Sequence, residues 1–330
     1  MYFRVDMNNI IATGHVMRCL AIAEGFVEAG EDCTFILADD FAKEFIEGFG
    51  HRVIVLGTAW NELDDEIDIM CEIIKANNIR QMIVDSYYVT DKYLSELNSY
   101  TSIVYIDDKN AFTYPVDVVI ASGIWFDFTE YKKQYKDKQT KLLLGTGYVP
   151  LRKEFNEVDA SYRYIDVMIT TGGTDTYNVA GRLVENIREF HPEWKVNVIS
   201  SRLSKEMETE NIKILSNVRN MSEIMSATKV AISAAGSTLY ELCSCKTPTV
   251  CFTFADNQLG FAMEMRNRGI MEYVGDARTE EDIVGQLVVT AANLLNNPIR
   301  QFVMQDKMSK LVDGKGVKRI VEELKEVCRI

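Results

Sequence analysis

The sequence predicts an α/β protein of two doubly wound domains, each a parallel sheet flanked by helices. Three observations predict it. Short apolar runs alternate with longer amphipathic stretches, the pattern of βαβ units. The alternation lapses between residues 114 and 150 and then resumes, so it occurs twice. Several apolar runs end in turns rich in glycine and small residues, one of which holds one of the chain's three histidines. Open α/β sheets bind their ligands at such strand ends.

The elements follow in order. In the first half the apolar runs 2–5, 34–37, 52–55, 82–84, 103–106 and 116–120 read as strands, and 15–29, 41–49, 63–76 and 91–97 as helices. A less regular segment contains the polar stretch 132–141 and then Gly145-Thr146-Gly147-Tyr148-Val149-Pro150. Glycine and proline there mark a domain border, giving domains 1–148 and 149–330. In the second half 165–169, 195–199, 230–233, 249–252 and 271–274 read as strands. Helices are expected from residue 178, over 222–226, 239–243 and 257–268, and three times near the C-terminus. The two halves share an architecture without a fixed-period repeat, and are expected to face each other across a central cleft.

With 330 residues, 47% of them hydrophobic and 26% charged, the chain has the size of two domains and an ordinary globular composition. A net charge of −13 argues against nucleic acid as a partner. It is compatible with a phosphorylated small molecule, which backbone amides and helix starts can hold. The opening Met1-Tyr2-Phe3-Arg4-Val5-Asp6 does not read as a signal peptide, and no apolar run reaches the ~18 residues of a membrane span. Seven cysteines at irregular spacings suggest reduced thiols in a cytoplasm. Cys243 and Cys245 stand too close for a zinc knuckle. The cysteines read as core residues, and neither a metal nor a cofactor is expected.

Ile11-Ala12-Thr13-Gly14-His15-Val16-Met17-Arg18 joins the first strand to the first helix. Imidazole is the side chain suited to take a proton near neutral pH, so His15 is a candidate general base; a capping or packing role is the alternative. The segment lacks the first and third glycines of a dinucleotide fingerprint. Its turn would bring Gly14 and His15 toward a ligand, and Arg18, one turn on, would add a fixed charge. In Thr170-Thr171-Gly172-Gly173-Thr174-Asp175, glycines would let a phosphate approach the backbone, or Thr174 or Asp175 would cap the next helix. In Ser233-Ala234-Ala235-Gly236-Ser237-Thr238-Leu239-Tyr240-Glu241, small residues turn into a helix. Glu241, one turn in, would accept the two hydroxyls of a ribose, or reach back as a capping box. Ala255-Asp256-Asn257-Gln258 opens a further helix with two amides able to meet sugar hydroxyls or phosphate, or with Asp256 as its cap. Together the three turns read as a nucleotide-diphosphate site. The pairs Asp64-Asp65 and Asp107-Asp108 are too close in sequence to flank one bond. Asp64 and Asp65 read as surface. Asp107 and Asp85 stand at strand ends, where each would contact a ligand or serve a turn. His51 and His191 read as exposed.

These motifs resemble the UDP-2,4-diacetamido-2,4,6-trideoxy-β-L-altropyranose hydrolases of pseudaminic acid biosynthesis. The resemblance runs from Arg4-Val5-Asp6 and Thr13-Gly14-His15-Val16-Met17-Arg18-Cys19-Leu20 through Asp85-Ser86-Tyr87 and Asp107-Asp108. It continues in Tyr148-Val149-Pro150-Leu151-Arg152-Lys153-Glu154-Phe155 and Gly172-Gly173-Thr174-Asp175, then Ala235-Gly236-Ser237-Thr238, Glu241 and Asp256-Asn257-Gln258. The second half also resembles the nucleotide-binding half of GT-B glycosyltransferases. The resemblance implies a GT-B fold of two Rossmann-like domains and a UDP-sugar substrate cleaved by water at C1 with inversion. It implies His15 as the catalytic residue, with Tyr87 and Asn257 at the sugar. The Gly172–Thr174 turn would hold pyrophosphate and Glu241 ribose. Family members usually carry glycine where this chain has Ala12, and small polar residues where it has Met7-Asn8-Asn9. The competing readings are a GT-B glycosyltransferase with a sugar or lipid acceptor, for which no strong apolar or basic face is read in the first half, and a non-catalytic UDP-sugar-binding protein.

Overall fold

The computed structural model describes every residue except Asn9, Ala12, Glu157, Ser161, Gly173, Thr174 and the last three, 328–330. The chain forms two compact units, Met1–Lys153 with Lys315–Ile330, and Glu154–Gly314.

In unit 1 the strands are β1 (Tyr2–Val5), β2 (Thr34–Leu37), β3 (Arg52–Val55), β4 (Gln81–Asp85), β5 (Ser102–Ile106), β6 (Val118–Ala121) and β7 (Lys141–Leu144). Between them run α1 (Gly14–Glu28), α2 (Lys43–Glu47), α3 (Ile67–Ala76), α4 (Asp91–Asn98) and α5 (Phe128–Gln134). Unit 2 holds β8 (Ile165–Thr170), β9 (Val196–Ile199), β10 (Ile212–Leu215), β11 (Thr228–Ala234), β12 (Thr249–Thr253) and β13 (Glu272–Asp276). Its helices are α6 (Val179–Phe190), α7 (Met221–Ser226), α8 (Thr238–Ser244), α9 (Asp256–Asn267), α10 (Ile283–Leu295) and α11 (Pro298–Leu311). A last helix, α12 (Gly316–Val327), belongs to unit 1.

Each unit is one parallel sheet, ordered β3-β2-β1-β4-β5-β6-β7 and β10-β9-β8-β11-β12-β13. Both orders reverse once, between β1 and β4 and between β8 and β11. At such a switch point the connections leave in opposite directions and open a crevice beyond the carboxyl ends of the strands. Val5 lies beside Asp85 across the first reversal, and Thr170 beside Ser233 across the second.

The inner strands β1, β2, β4, β5, β6, β8, β11 and β12 are short runs buried on both faces, as parallel sheets require, whereas the edge strands β3, β7, β10 and β13 are partly exposed. On one side of the unit 1 sheet, Phe3 and Val5 pack with Val16, Cys19, Leu20, Ala23 and Phe26 of α1 and with Ile320, Val321 and Leu324 of α12. On the other, Met82 and Val84 pack with Met70 and Ile74 of α3 and Tyr93, Leu94 and Leu97 of α4. The six described cysteines are free and buried.

Every strand read from the sequence is present. The segment read as irregular also contains α5 and β7, and β10 was not anticipated. Stretch 63–76 divides into a short 3₁₀ turn and α3. The border read at 148/149, with all of 149–330 in the second domain, is corrected. The chain divides at 153/154 and returns to unit 1 at 315, because α12 has an apolar stripe that completes the core beside α1. The approach is close: a Cβ at Gly316 would stand 2.0 Å from the Val149 carbonyl oxygen, and one at Gly25 2.5 Å from Val317 Cγ1.

Backbone cannot yield as a side-chain tip can, so Gly316→Ala is expected to destabilise unit 1 by about 1–3 kcal/mol, the cost of overpacking. Denaturant unfolding monitored on unit 1 measures it, and an unchanged midpoint would contradict the packing of α12.

Candidate active site

His15 lies in the first turn of α1 and Asp85 ends β4, so the switch point itself brings them together across 70 residues. His15 Nδ1 is 2.5 Å from Asp85 Oδ1. Arg18, one turn further along α1, grips the same carboxylate from Nε at 2.6 Å and from its terminal nitrogen at 2.5 Å. This is the two-pronged geometry in which guanidinium binds carboxylate most strongly. Its other terminal nitrogen donates to Asp108 Oδ2 at 2.7 Å, which also accepts from the Tyr87 hydroxyl at 3.3 Å. The Tyr87 ring stands edge-on to the imidazole, with centroids 4.5 Å apart and planes at 82°. The Lys109 ammonium lies 4.7 Å over the Tyr87 ring.

Burial pushes the Asp85 carboxyl up, but Arg18 and then His15 outweigh it and hold the group well below the usual carboxylate range. It is therefore ionised at neutral pH and can only accept. His15 Nδ1 must donate to it, which leaves the lone pair of the neutral ring on Nε2. Nε2 has no hydrogen-bond partner among the described residues. The ring is only 6% exposed, yet it lines a small recess with Asp6, Ile11, Trp60, Ser86, Tyr87 and Tyr88. His15 thus neither caps its helix nor packs into the core, and Asp85, read from the sequence chiefly as a turn or cap residue, orients it.

The adjacent aspartates Asp107 and Asp108 face different surroundings. Asp107 is fully buried and takes hydrogen bonds from the hydroxyls of Tyr114 and Tyr131, at 2.8 and 2.6 Å, and from the amides of Lys109 and Asn110. The protein's own donors occupy this carboxylate and it does not line the recess, so of the two roles read from the sequence the structure gives it the turn, through the Lys109 and Asn110 amides, and not the ligand contact. Asp108, on the other side of the strand end, is the one turned toward Arg18 and Tyr87.

Beneath the recess lies a second charged cluster. Arg4 of β1 is 0% exposed, with Nε and a terminal nitrogen 2.6 and 2.8 Å from the two oxygens of Glu66 and the other terminal nitrogen 2.5 Å from Asp6 Oδ2. Tyr93 and Thr58 donate to Glu66, and the Ala38 amide donates to Asp6 Oδ1 at 2.7 Å. Burial pushes the Asp6 carboxyl up, and Arg4 and the Ala38 amide bring it only part of the way back. Removing one partner from such a buried set costs about 3–5 kcal/mol. His51 and His191 are half-buried, against Phe35 and Trp194 respectively, not exposed.

In unit 2 the predicted turns follow β8, β11 and β12, which are neighbours in the sheet, so parallel topology gathers all three at one edge. Gly172 takes φ +76°, a left-handed conformation suited to glycine; Gly173 and Thr174 lie outside the described residues. Asp175 accepts from the Val179 and Ala180 amides at 2.8 and 2.9 Å, closing the start of α6 with its own carboxylate. The start of α8 is different. Ser237 stands at the cap position without a side-chain cap bond and is exposed, Gly236 and Thr238 are half-buried, and nothing lies within 4 Å of where a Cβ of Gly236 would be. Glu241 is half-buried on the same helix. Asn257 is exposed at the start of α9, which also lacks a side-chain cap. The Gln258 side-chain oxygen instead accepts from the Phe254 amide at 2.9 Å, which ties it to its own turn. Asp256 pairs with Arg278 at 2.7 Å.

The whole chain is similar to solved glycosyltransferases. It superposes on MurG from Acinetobacter baumannii with a TM-score of 0.72 at 13% identity, covering 98% of this chain and 99% of that one. With the spinosyn forosaminyltransferase SpnP the score is 0.66 at 13% identity, covering 100% and 99%. The fold is the GT-B fold. Residues 189–324 match the glycosyltransferase family 28 C-terminal domain. A Helicobacter pylori protein, pseudaminic acid cytidylyltransferase and UDP-2,4-diacetamido-2,4,6-trideoxy-beta-L-altropyranose hydrolase, is 28% identical over 78% of this chain and 45% of its own length. An uncharacterized protein of Methanocaldococcus jannaschii, MJ1062, is 22% identical over 72% of this chain and 52% of its own. The matches thus span about half the length of these two relatives. The Bacillus subtilis spore coat polysaccharide biosynthesis protein SpsG is 21% identical over 95% of this chain and 94% of its own length. Among the described residues no helix is long and apolar enough to cross a membrane.

The Asp85 carboxyl sits below its unfolded value of about 3.9. Its contribution to stability is therefore complete above that value and is lost as the pH falls toward the folded one. Asp85→Asn should remove this part of the acid sensitivity: the stability gap between the wild type and the variant is expected to shrink from about pH 5 downward. Melting both proteins across that range checks it, and a gap constant with pH would contradict the ion pair.

Proposed function

We propose that this chain hydrolyses a UDP-sugar to the free sugar and UDP, with unit 1 supplying the base and unit 2 the nucleotide-holding turns. The observation that carries the reading is the His15–Asp85 pair at the unit 1 switch point, with the imidazole lining a recess. A water oxygen attacks C1 as the bond from C1 to the diphosphate oxygen breaks. The electron pair leaves with UDP, and His15 Nε2 takes the proton from water. Attack opposite the leaving group inverts C1. UDP leaves as a stable anion, so it needs electrostatic stabilisation more than a proton.

The uncapped start of α8, with Gly236, Ser237 and Thr238, is suited to the diphosphate, and the Gly173-Thr174 turn joins it in this reading. Glu241 takes the ribose hydroxyls. Tyr87 and Asn257 meet the sugar, Gly14 lets the ligand approach α1, and Arg18 positions Asp85. The sugar proposed is 2,4-diacetamido-2,4,6-trideoxy-β-L-altropyranose or a close relative, in pseudaminic acid formation. The name of the Helicobacter pylori relative and the motifs around His15 support it. The surface-polysaccharide setting is also that of the Bacillus subtilis relative's name.

A second reading, transfer of the sugar to an acceptor, is favoured by the family 28 match and by an apolar face on and beside α2. There Phe41, Phe45 and Phe49 are exposed at every fourth position, a face the sequence reading did not single out. Release of UDP from a UDP-sugar in water alone separates the two readings.

His15→Asn should lower turnover by about two orders of magnitude or more, the range a general base contributes, with UDP affinity retained; near-normal turnover would remove His15 from this role. Glu241→Ala should weaken UDP binding measured by calorimetry, and unchanged affinity would reject the ribose assignment.

A further inference from the structure

The recess beside His15 has a one-sided charge pattern. Its polar lining is Asp6, Asp85, Ser86 and the imidazole, its rings are Trp60, Tyr87 and Tyr88, and among the described residues neither lysine nor arginine lines it. Both nearby arginines stand behind carboxylates, Arg4 between Asp6 and Glu66 and Arg18 between Asp85 and Asp108. Four carboxylates against these two guanidinium groups and the Lys109 ammonium, which lies over the Tyr87 and Tyr88 rings, leave the cluster net negative while His15 is neutral. Of the two carboxylates that line the recess, Asp85 is taken up by His15 and Arg18, and Asp6 is the one with capacity to spare. Each of its oxygens has one protein donor, Ala38 N on Oδ1 and Arg4 on Oδ2, and each retains a further acceptor position. Trp60 and Tyr88 meet edge to face, with centroids 5.1 Å apart, and the faces of such rings are electronegative.

This lining disfavours a diphosphate and favours positive charge. Asp6 and His15 both line the recess, so the base and the excess negative charge address the same small volume. We propose that Asp6 stabilises the positive charge that develops on the sugar ring as its bond to UDP breaks. The inference rests on the hydrolytic reading above and deepens it. Cleavage of a glycosyl bond places positive charge on C1 and the ring oxygen. A carboxylate held in place by Arg4 and the Ala38 amide, away from bulk water, stabilises that charge without reorganising. Asp6 forms no bond to the sugar and takes no proton; those roles stay with water and His15.

The test compares two probes by calorimetry on the full chain with UDP present: the iminosugar deoxynojirimycin, protonated on its ring nitrogen, and anhydroglucitol, its neutral ring-oxygen counterpart. The wild type is expected to bind the cation about tenfold more tightly or better, the strength of a hydrogen bond between charged groups. Asp6→Asn should abolish that preference and leave UDP affinity unchanged. Trp60→Leu, at a half-buried position, should reduce the preference by roughly two- to fivefold, and it decides the matter should Asp6→Asn fail to fold. Equal affinity for the two probes, no binding of the cation, or a folded Asp6→Asn protein that keeps the preference would overturn the proposal. The readout needs no turnover, so loss of the cation preference and absence of UDP release from a UDP-sugar are separate results.

Discussion

The arrangement of unit 1 depends on one carboxylate serving two partners. Asp85 accepts from His15 and Arg18, which sit three residues apart on α1 and so point the same way. The ion pair keeps Asp85 charged inside the protein, and the charged Asp85 in turn sets which imidazole nitrogen carries the proton. Neither effect would survive alone. A protonated Asp85 would no longer specify the imidazole tautomer, and an Asp85 without Arg18 would bear the full penalty of burial. The same contact ties the start of α1 to the end of β4, so the site and the switch point are held by one set of bonds.

Unit 2 shows how helix starts at one sheet edge can differ in what they offer. Asp175 already occupies the opening amides of α6, whereas α8 and α9 begin without side-chain caps. A carboxylate belonging to the protein and an anion from outside compete for the same partial positive charge. The small residues before α8 leave its approach open.

Much of this was legible in the sequence, and the gaps have physical causes. Buried parallel strands read as apolar runs, so eleven of the thirteen strands could be anticipated in outline, but β7 and β10 are four-residue edge runs, Lys141–Leu144 and Ile212–Leu215, too short and too partly exposed to stand out. His15 was legible because it stands where the connection from the first strand enters the first helix. Asp85 was visible only as a strand-end residue, since its pairing is made by β1 and β4 lying side by side, a fact of topology and not of local spacing. Glu66 follows two acids that read as surface, yet a single turn of 3₁₀ helix carries it into the interior to meet Arg4. Asp107 and Asp108 part because successive side chains at a strand end face opposite ways, and Asp107 is held inward by the hydroxyls of Tyr114 and Tyr131, a pairing that local spacing does not reveal.

The return of α12 to unit 1 makes unit 2 an insertion within it, and this orders events during synthesis. Residues 154–314 leave the ribosome as an uninterrupted stretch and can complete their own core first. The earlier-made helix bearing His15 and Arg18 must wait, one apolar flank uncovered, until Ile320, Val321 and Leu324 have been translated. Vectorial production therefore leaves the portion made first to mature last, and the nascent chain carries that open flank through the whole interval in which holdase chaperones can engage it.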